Sequence, residues 1–368
     1  MDTPWPIDPM TWDVPSRGEA RFSWQYDNGR ERLLNLYQRG KDKQWDSTRR
    51  IDWSVDLDPI RPIPVPDEAH PLAGSELYNK MSEAERLFSG KEAAIWQFSQ
   101  FLHGEQGALL CSAKIVESVP DMDSKFYAAT QVMDEARHVE TYARLMRDKF
   151  KDCYPINPYL KALLDDTLSD GRWDVPYLGM QVLIEGLALA AFGVLRDMTP
   201  QPLIKQILAY VMADEARHVA FGRMALKDYY AELTDAERRD REEFVIEGCY
   251  LMRERFHGEE IWEKLGYDLA ECHQATEESP YMQMFRVLLF SRIVPCVKDI
   301  GLWSPRLIDA YGKMGVLDMA GLNLDELMRE DEDKADAEDR ERYENAKHEV
   351  DVSRRVAEVK AVIEGART

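Results

Sequence analysis

This chain has no C-x-x-C pair, and its five cysteines, Cys111, Cys153, Cys249, Cys272 and Cys296, are widely spaced and odd in number. A disulfide framework is thereby excluded, and reduced core thiols in a cytosolic protein are expected. Basic charge is scarce: 47 Lys and Arg stand against 68 Asp and Glu, a net charge of −21. That balance opposes a sequence-independent grip on nucleic acid or on an anionic membrane surface, so neither is expected as a partner. The amino terminus, MDTPWPIDPMTWDVPSRG, lacks a basic segment followed by an apolar one, so no signal or transit peptide is expected. Flavin, nicotinamide and iron–sulfur signatures are missing as well.

Long apolar runs are almost absent too. The exception is YLGMQVLIEGLALAAFGVL, residues 177 to 195, which carries one carboxylate, Glu185, near its middle. The run is long enough to span a bilayer. It has no flanking basic cluster, contains Gln181 besides Glu185, and has no second such segment to pair with. A helix buried on all sides within a cytoplasmic protein is the better account, which leaves the carboxylate to be explained.

Runs of alternating or β-branched residues are also few, and from about residue 72 onward the pattern is helical. The fold class expected is all-α: a helical core with additional C-terminal helices and an extended N-terminal arm. Four regions are delimited: an arm over 1–70, anchored by Trp45 and Trp53; a helical core over 71–256; packing helices over 257–320; and a charged segment over 321–368, read as a solvated helix or tail. Helices are expected near 74–88, 90–118, 122–151, 157–168, 173–197, 201–231 and 235–256. Pro120, Pro155, Pro158, Pro200 and the Thr234-Asp235 cap mark the breaks.

One hexapeptide recurs unchanged. Asp134-Glu135-Ala136-Arg137-His138-Val139 returns as Asp214-Glu215-Ala216-Arg217-His218-Val219, eighty positions later. Residues three apart share a helix face, so each Glu-x-x-His aims a carboxylate and an imidazole at one spot. Glu105 lies thirty positions before Glu135, Glu185 thirty before Glu215, and Pro120 and Pro200 fall at the midpoints. If each proline marks the turn of an antiparallel hairpin, both arms rise by about 22 Å and the lone glutamate meets the Glu-x-x-His at one height. Two such hairpins bring Glu105, Glu135, His138, Glu185, Glu215 and His218 together as ligands of a dinuclear metal site. Ionised carboxylates cannot share an apolar interior unaided, and two divalent cations balance four negative charges. An imidazole bound to metal donates its other N–H to a carboxylate, so the two-fold repeat predicts crossed pairs, Asp134 with His218 and Asp214 with His138. Arg137 and Arg217 either balance the aspartates or face solvent.

On these motifs the stretch from about 74 to 255 resembles the ferritin-like carboxylate-bridged di-iron superfamily, which implies a ferritin-like four-helix bundle core. The two strings look like those of arylamine N-oxygenases and of the hydroxylase subunits of bacterial multicomponent monooxygenases. The resemblance implies that the six residues hold two iron ions, with Mn/Fe or Mn/Mn as variants. It further implies that O2 is a co-substrate, and that a small organic substrate is N-oxygenated or hydroxylated. Two positions depart from those patterns. Leu189 stands where the hydroxylases place a threonine, and Val211 where N-oxygenases carry an extra histidine.

A substrate cavity is expected beside the metals. Cys111, Tyr142, Ala188, Leu189, Phe192 and Val211 are its candidate lining, with plain core as the alternative reading. Tyr142 could instead carry a radical, as in ribonucleotide reductase small subunits. Electrons would come from a separate reductase, a ferredoxin-type donor or the substrate itself, and a homodimer is the default assembly. Rival readings are a ferroxidase or metal-storage protein using the same site, and a helical scaffold with a degenerate one.

Overall fold

The computed structural model describes residues 12–23, 26, 29–338 and 340. Residues 1–11 of the expected arm, and 341–368 of the charged C-terminal segment, lie outside the described residues. All regular structure among the described residues is helical. Seven helices position the site: α1 (Glu31–Asp42), α2 (Glu83–Ser118), α3 (Met122–Leu145), α4 (Pro158–Ser169), α5 (Tyr177–Met198), α6 (Pro202–Ala231) and α7 (Asp235–Glu254). Shorter helices from Glu259 to Met314 close one side.

The caps explain the boundaries. Ser82 accepts from the Glu85 backbone N–H while the Glu85 carboxylate accepts from Ser82 N–H, a capping box that starts α2. Thr234 and Glu237 do the same for α7. Asp121 caps α3, and α6 starts with Pro202 at a position where no N–H is needed. The break expected between residues 88 and 90 does not exist, and α2 runs through it unbroken. Ser89 turns its hydroxyl back onto the Glu85 carbonyl, and a Ser-Gly pair inside a helix costs only about 1 kcal/mol, too little to stop one held by packing.

α2 and α3 form one antiparallel hairpin, α5 and α6 the other, and α1 lies across α3 and α6. The arm is thus not purely extended. The 12-residue α1 buries Leu33 and Leu36, and its Gly40 backs onto α3 so closely that a Cβ there would sit 3.1 Å from Thr130 Cγ2. Trp53 donates to the Ser47 carbonyl at 2.8 Å, and the Arg144 guanidinium stacks on its ring. Residues 324–338 form a further helix against the same side: Lys43 pairs with Asp336 at 2.6 Å and Arg39 with Glu332. In that helix Asp331 is buried and accepts from Arg292, so the described part of the charged segment is docked on the body.

α5 is long and apolar enough to cross a membrane by length and composition, but 83% of its most apolar window is buried inside the protein. Its first part, Tyr177–Ile184, is wound as a π-helix that gives way to α-helix at Glu185. Such wide turns rotate the side chains that follow and recur at functional sites. α6 packs so tightly against this segment that a Cβ at Gly222 would lie 2.5 Å from Gln181 Cβ.

Candidate metal centre

The two hairpins bring their acidic residues together at mid-bundle. Glu105 comes from α2, Glu135 and His138 from α3, Glu185 from α5, and Glu215 and His218 from α6; all six are at most 5% exposed. Donor atoms form two overlapping groups, Glu105, Glu135, His138 and Glu215, and Glu135, Glu185, Glu215 and His218, each within 4.8 Å. Glu135 and Glu215 belong to both. His138 Nδ1 lies 3.2 Å from Glu105 Oε2 and 3.0 Å from Glu215 Oε1, and His218 Nδ1 lies 3.1 Å from Glu135 Oε1.

The outer nitrogens face aspartates of the opposite hairpin. His138 Nε2 is 3.0 Å from Asp214 Oδ2, and His218 Nε2 is 3.3 Å from Asp134 Oδ2. Donation through Nε2 leaves Nδ1 of each ring as the lone pair turned inward. Arg137 and Arg217 are buried rather than solvent-facing: Arg137 donates to Asp134 and, at 2.8 Å, to Asp214, while Arg217 donates to Asp214. Against its burial, Asp214 is held far below the ordinary carboxylate range by Arg217, His138 and Arg137.

Four further side chains belong to the site, of which only Trp45 is singled out from the sequence, as an anchor of the arm. Gln131 Nε2 donates to Glu135 at 3.0 Å and to Glu185 at 2.8 Å, and Gln181 lies 3.2 Å from Gln131. Each glutamine stands four residues before a glutamate of the cluster, a same-face spacing that could have flagged it. The other two reach in from beyond α1. Gln44 donates to Asp134 at 2.7 Å and accepts from Arg137 at 2.6 Å, and Trp45 Nε1 donates to Asp214 at 2.8 Å. Trp45 also lies under the Arg137 guanidinium at 4.8 Å. Nothing local marks these two, because their partners lie 90 and 169 residues away.

The residues fit a pair of cations. Glu135 Oε2, Glu185 Oε2 and Glu215 Oε1 are buried acceptors that no donor reaches in hydrogen-bonding geometry. Burial, followed by the charge of Glu215, drives Glu105 and Glu185 well above the usual carboxylate range. Burial would lower both imidazoles, yet Glu105 lifts His138 and Glu135 lifts His218 well above the ordinary histidine range. Glu135, by contrast, is drawn down, against its burial, by His218 and His138. A site that raises Glu105, Glu185 and both imidazoles together is short of positive charge, and divalent metal would supply it.

The candidate cavity residues lie among aromatic rings of the core. Tyr142 and Phe192 pack with Phe98 and Phe101, ring centroids 4.6 Å apart for Phe101–Phe192 and 6.0 Å for Phe101–Tyr142. Cys111 and Val211 are fully buried, Ala188 is partly so, and burial followed by the Glu185 charge pushes the Cys111 thiol far up. Leu189 borders a gap of about 20 Å³. The large cavity, about 450 Å³, is lined by none of the six. Aromatic rings fill the space beside the cluster, so these residues form close-packed core rather than an open pocket.

Comparison with known proteins gives three results. Structures of R2-like ligand-binding oxidases are among those to which this chain is similar. One variant with an anaerobically reconstituted Mn/Fe cofactor is 17% identical with a TM-score of 0.48, and one with an aerobically reconstituted Mn/Fe cofactor is 15% identical with a TM-score of 0.49. Each match covers 77% of this chain and 96% of the other. No curated protein sequence matches. The family model for P-aminobenzoate N-oxygenase AurF matches residues 27–301, from α1 through the whole bundle and into the shorter helices. The chain therefore belongs to the AurF family and is an O2-dependent, non-haem di-iron oxidoreductase of ferritin-like fold.

Proposed function

We propose that the protein N-oxygenates a small aromatic amine, with two irons held by Glu105 and His138 on one side, Glu185 and His218 on the other, and Glu135 and Glu215 shared between them. The observation that carries this reading is the overlap of the two donor groups in Glu135 and Glu215. The arylamine comes from the family description. When bound, the metal pair supplies activation of O2 and storage of electrons.

The chain's own residues do the rest. His138 and His218 are held with the Nδ1 lone pair facing inward because Asp214 and Asp134 accept hydrogen bonds from their Nε2–H groups. Gln131 steadies Glu135 and Glu185 through two N–H groups of one amide. Phe98, Phe101, Tyr142 and Phe192 exclude water from the α2, α3 and α5 side. Insertion of one oxygen atom into an N–H bond consumes O2, two electrons and two protons and releases water. The electrons come from an external reductase or ferredoxin-type donor, and a homodimer is the proposed assembly. Leu189 and Val211, apolar where related enzymes carry Thr or His, leave proton delivery to bound water or substrate.

Anaerobic iron loading followed by reduction, 4-aminobenzoate and O2 tests the reading. Two irons per chain and a hydroxylamino, nitroso or nitro product by mass spectrometry are expected. Iron accumulating far beyond two per chain, with the amine untouched, would mean metal storage instead.

A further inference from the structure

The cavity of about 450 Å³ lies outside the metal centre, between the proline-rich 60–71 segment, the N-terminal third of α2 and the shorter helices near Phe256 and Tyr281. Its nearest lining residue on α2, Gln97, stands two turns before Glu105, about 12 Å along the helix. The Phe101–Phe192–Tyr142 layer intervenes. Its walls are mainly apolar and aromatic, including Tyr78, Trp96, Phe256, Tyr281, Phe285 and Met198. Tyr281 and Phe285 are stacked 5.7 Å apart, a ready platform for a planar ring.

The charged groups on the walls are not equivalent. Arg61 donates to the Val65 carbonyl and to Asp67, and Arg86 donates to the Tyr78 and Asn79 carbonyls while stacking on the Tyr78 ring. Glu83 is exposed in the first turn of α2. Lys91 is half-buried at the wall, and no hydrogen bond or ion pair engages its ammonium among the described residues. Ligand sites of this volume are typically apolar with a few polar groups that fix orientation. A cation without a counter-charge on an aromatic wall selects an anion with an apolar body.

We infer that this cavity is a second binding site, separate from the metal centre, for an apolar aromatic monocarboxylate whose charge is held by Lys91. The site is independent of the oxidation chemistry. The 60–71 segment, kept stiff by its prolines, forms the wall that makes a groove on α2 into a cavity.

Titration of the full-length protein with 2-naphthoate and with its uncharged counterpart 2-naphthamide, followed by calorimetry, tests the assignment. Expected are one saturable naphthoate site, roughly tenfold weaker in Lys91→Met from loss of a charge-assisted contact, and naphthamide binding unaltered by that substitution. Ala94→Phe, which fills the same wall, abolishes both while helical circular dichroism is retained. Absence of saturable naphthoate binding overturns the inference. So does an affinity that Lys91→Met leaves unchanged, because the charge would then be read elsewhere.

Discussion

Glu185 is the residue on which the account is most exposed. It sits fully enclosed in the most apolar helix of the chain, with one oxygen held by Gln131 and the other unpartnered. Removal of this carboxylate deletes one hydrogen bond from Gln131 and leaves the apolar packing of α5 intact. Glu185→Ala is therefore expected to keep the helical spectrum and lose dinuclear loading, leaving at most one iron per chain by elemental analysis. Trp45 makes a complementary case. Its indole N–H is one of three donors on Asp214 Oδ2, beside Arg137 and His138, and Trp45→Phe deletes that donor alone. Loss of such an outer partner typically costs about 10- to 100-fold in metal affinity. A metal competition assay showing unchanged affinity for Trp45→Phe would reduce the arm to a packing element.

Among the elements, α5 and α6 are held in register by the absence of a side chain at Gly222. Gly222→Ala drives a methyl group into Gln181 and must shift the π-wound start of α5, at a cost of about 1–3 kcal/mol in denaturant unfolding. A midpoint equal to that of the parent would show the contact to be slack. The sequence pattern told the elements apart unevenly. The hairpins were legible because one hexapeptide occurs twice at a fixed distance from a lone glutamate, with proline between, and that redundancy survives without coordinates. α1 was not, because its apolar residues, Leu33, Leu34, Leu36 and Tyr37, form one short run among charged and polar residues, with Gly29 before it and Gly40 near its end. The π segment was invisible for the opposite reason: a run apolar on every side has no period in which a widened turn could register. Gln44 and Trp45 gain their meaning only when the chain returns to them, and the packing of the candidate lining residues is set by neighbours across the bundle, not along it.

At the scale of the molecule, the arm and the bundle meet at His70, and this junction sets a pH limit. Its Nδ1 accepts from the Leu72 N–H at 3.1 Å and its Nε2 faces Ser89 Oγ at 2.9 Å, so the neutral ring is the one that fits. Burial, aided by Arg86 and opposed by Asp67, lowers its pKa from 6.5 to about 4. The unfolded chain thus binds a proton that the folded chain refuses between pH 6.5 and 4. Stability from this group is complete above pH 6.5 and declines as pH falls through that window, by up to about 1.4 kcal/mol per pH unit. Denaturant unfolding at pH 7 and pH 5 should show a smaller difference for His70→Gln than for the parent. Equal differences would place the acid sensitivity elsewhere.

The central claim is that two hairpins, each bringing a lone glutamate and a Glu-x-x-His, enclose two metal ions that share Glu135 and Glu215. Crystals of protein loaded anaerobically with ferrous iron, measured with X-rays just above the iron absorption edge, test it most directly. Two anomalous peaks are predicted, one beside Glu105 and His138 and the other beside Glu185 and His218, with Glu135 and Glu215 reaching both. A single peak, or iron bound outside this cluster while the six side chains stay empty, would contradict the account.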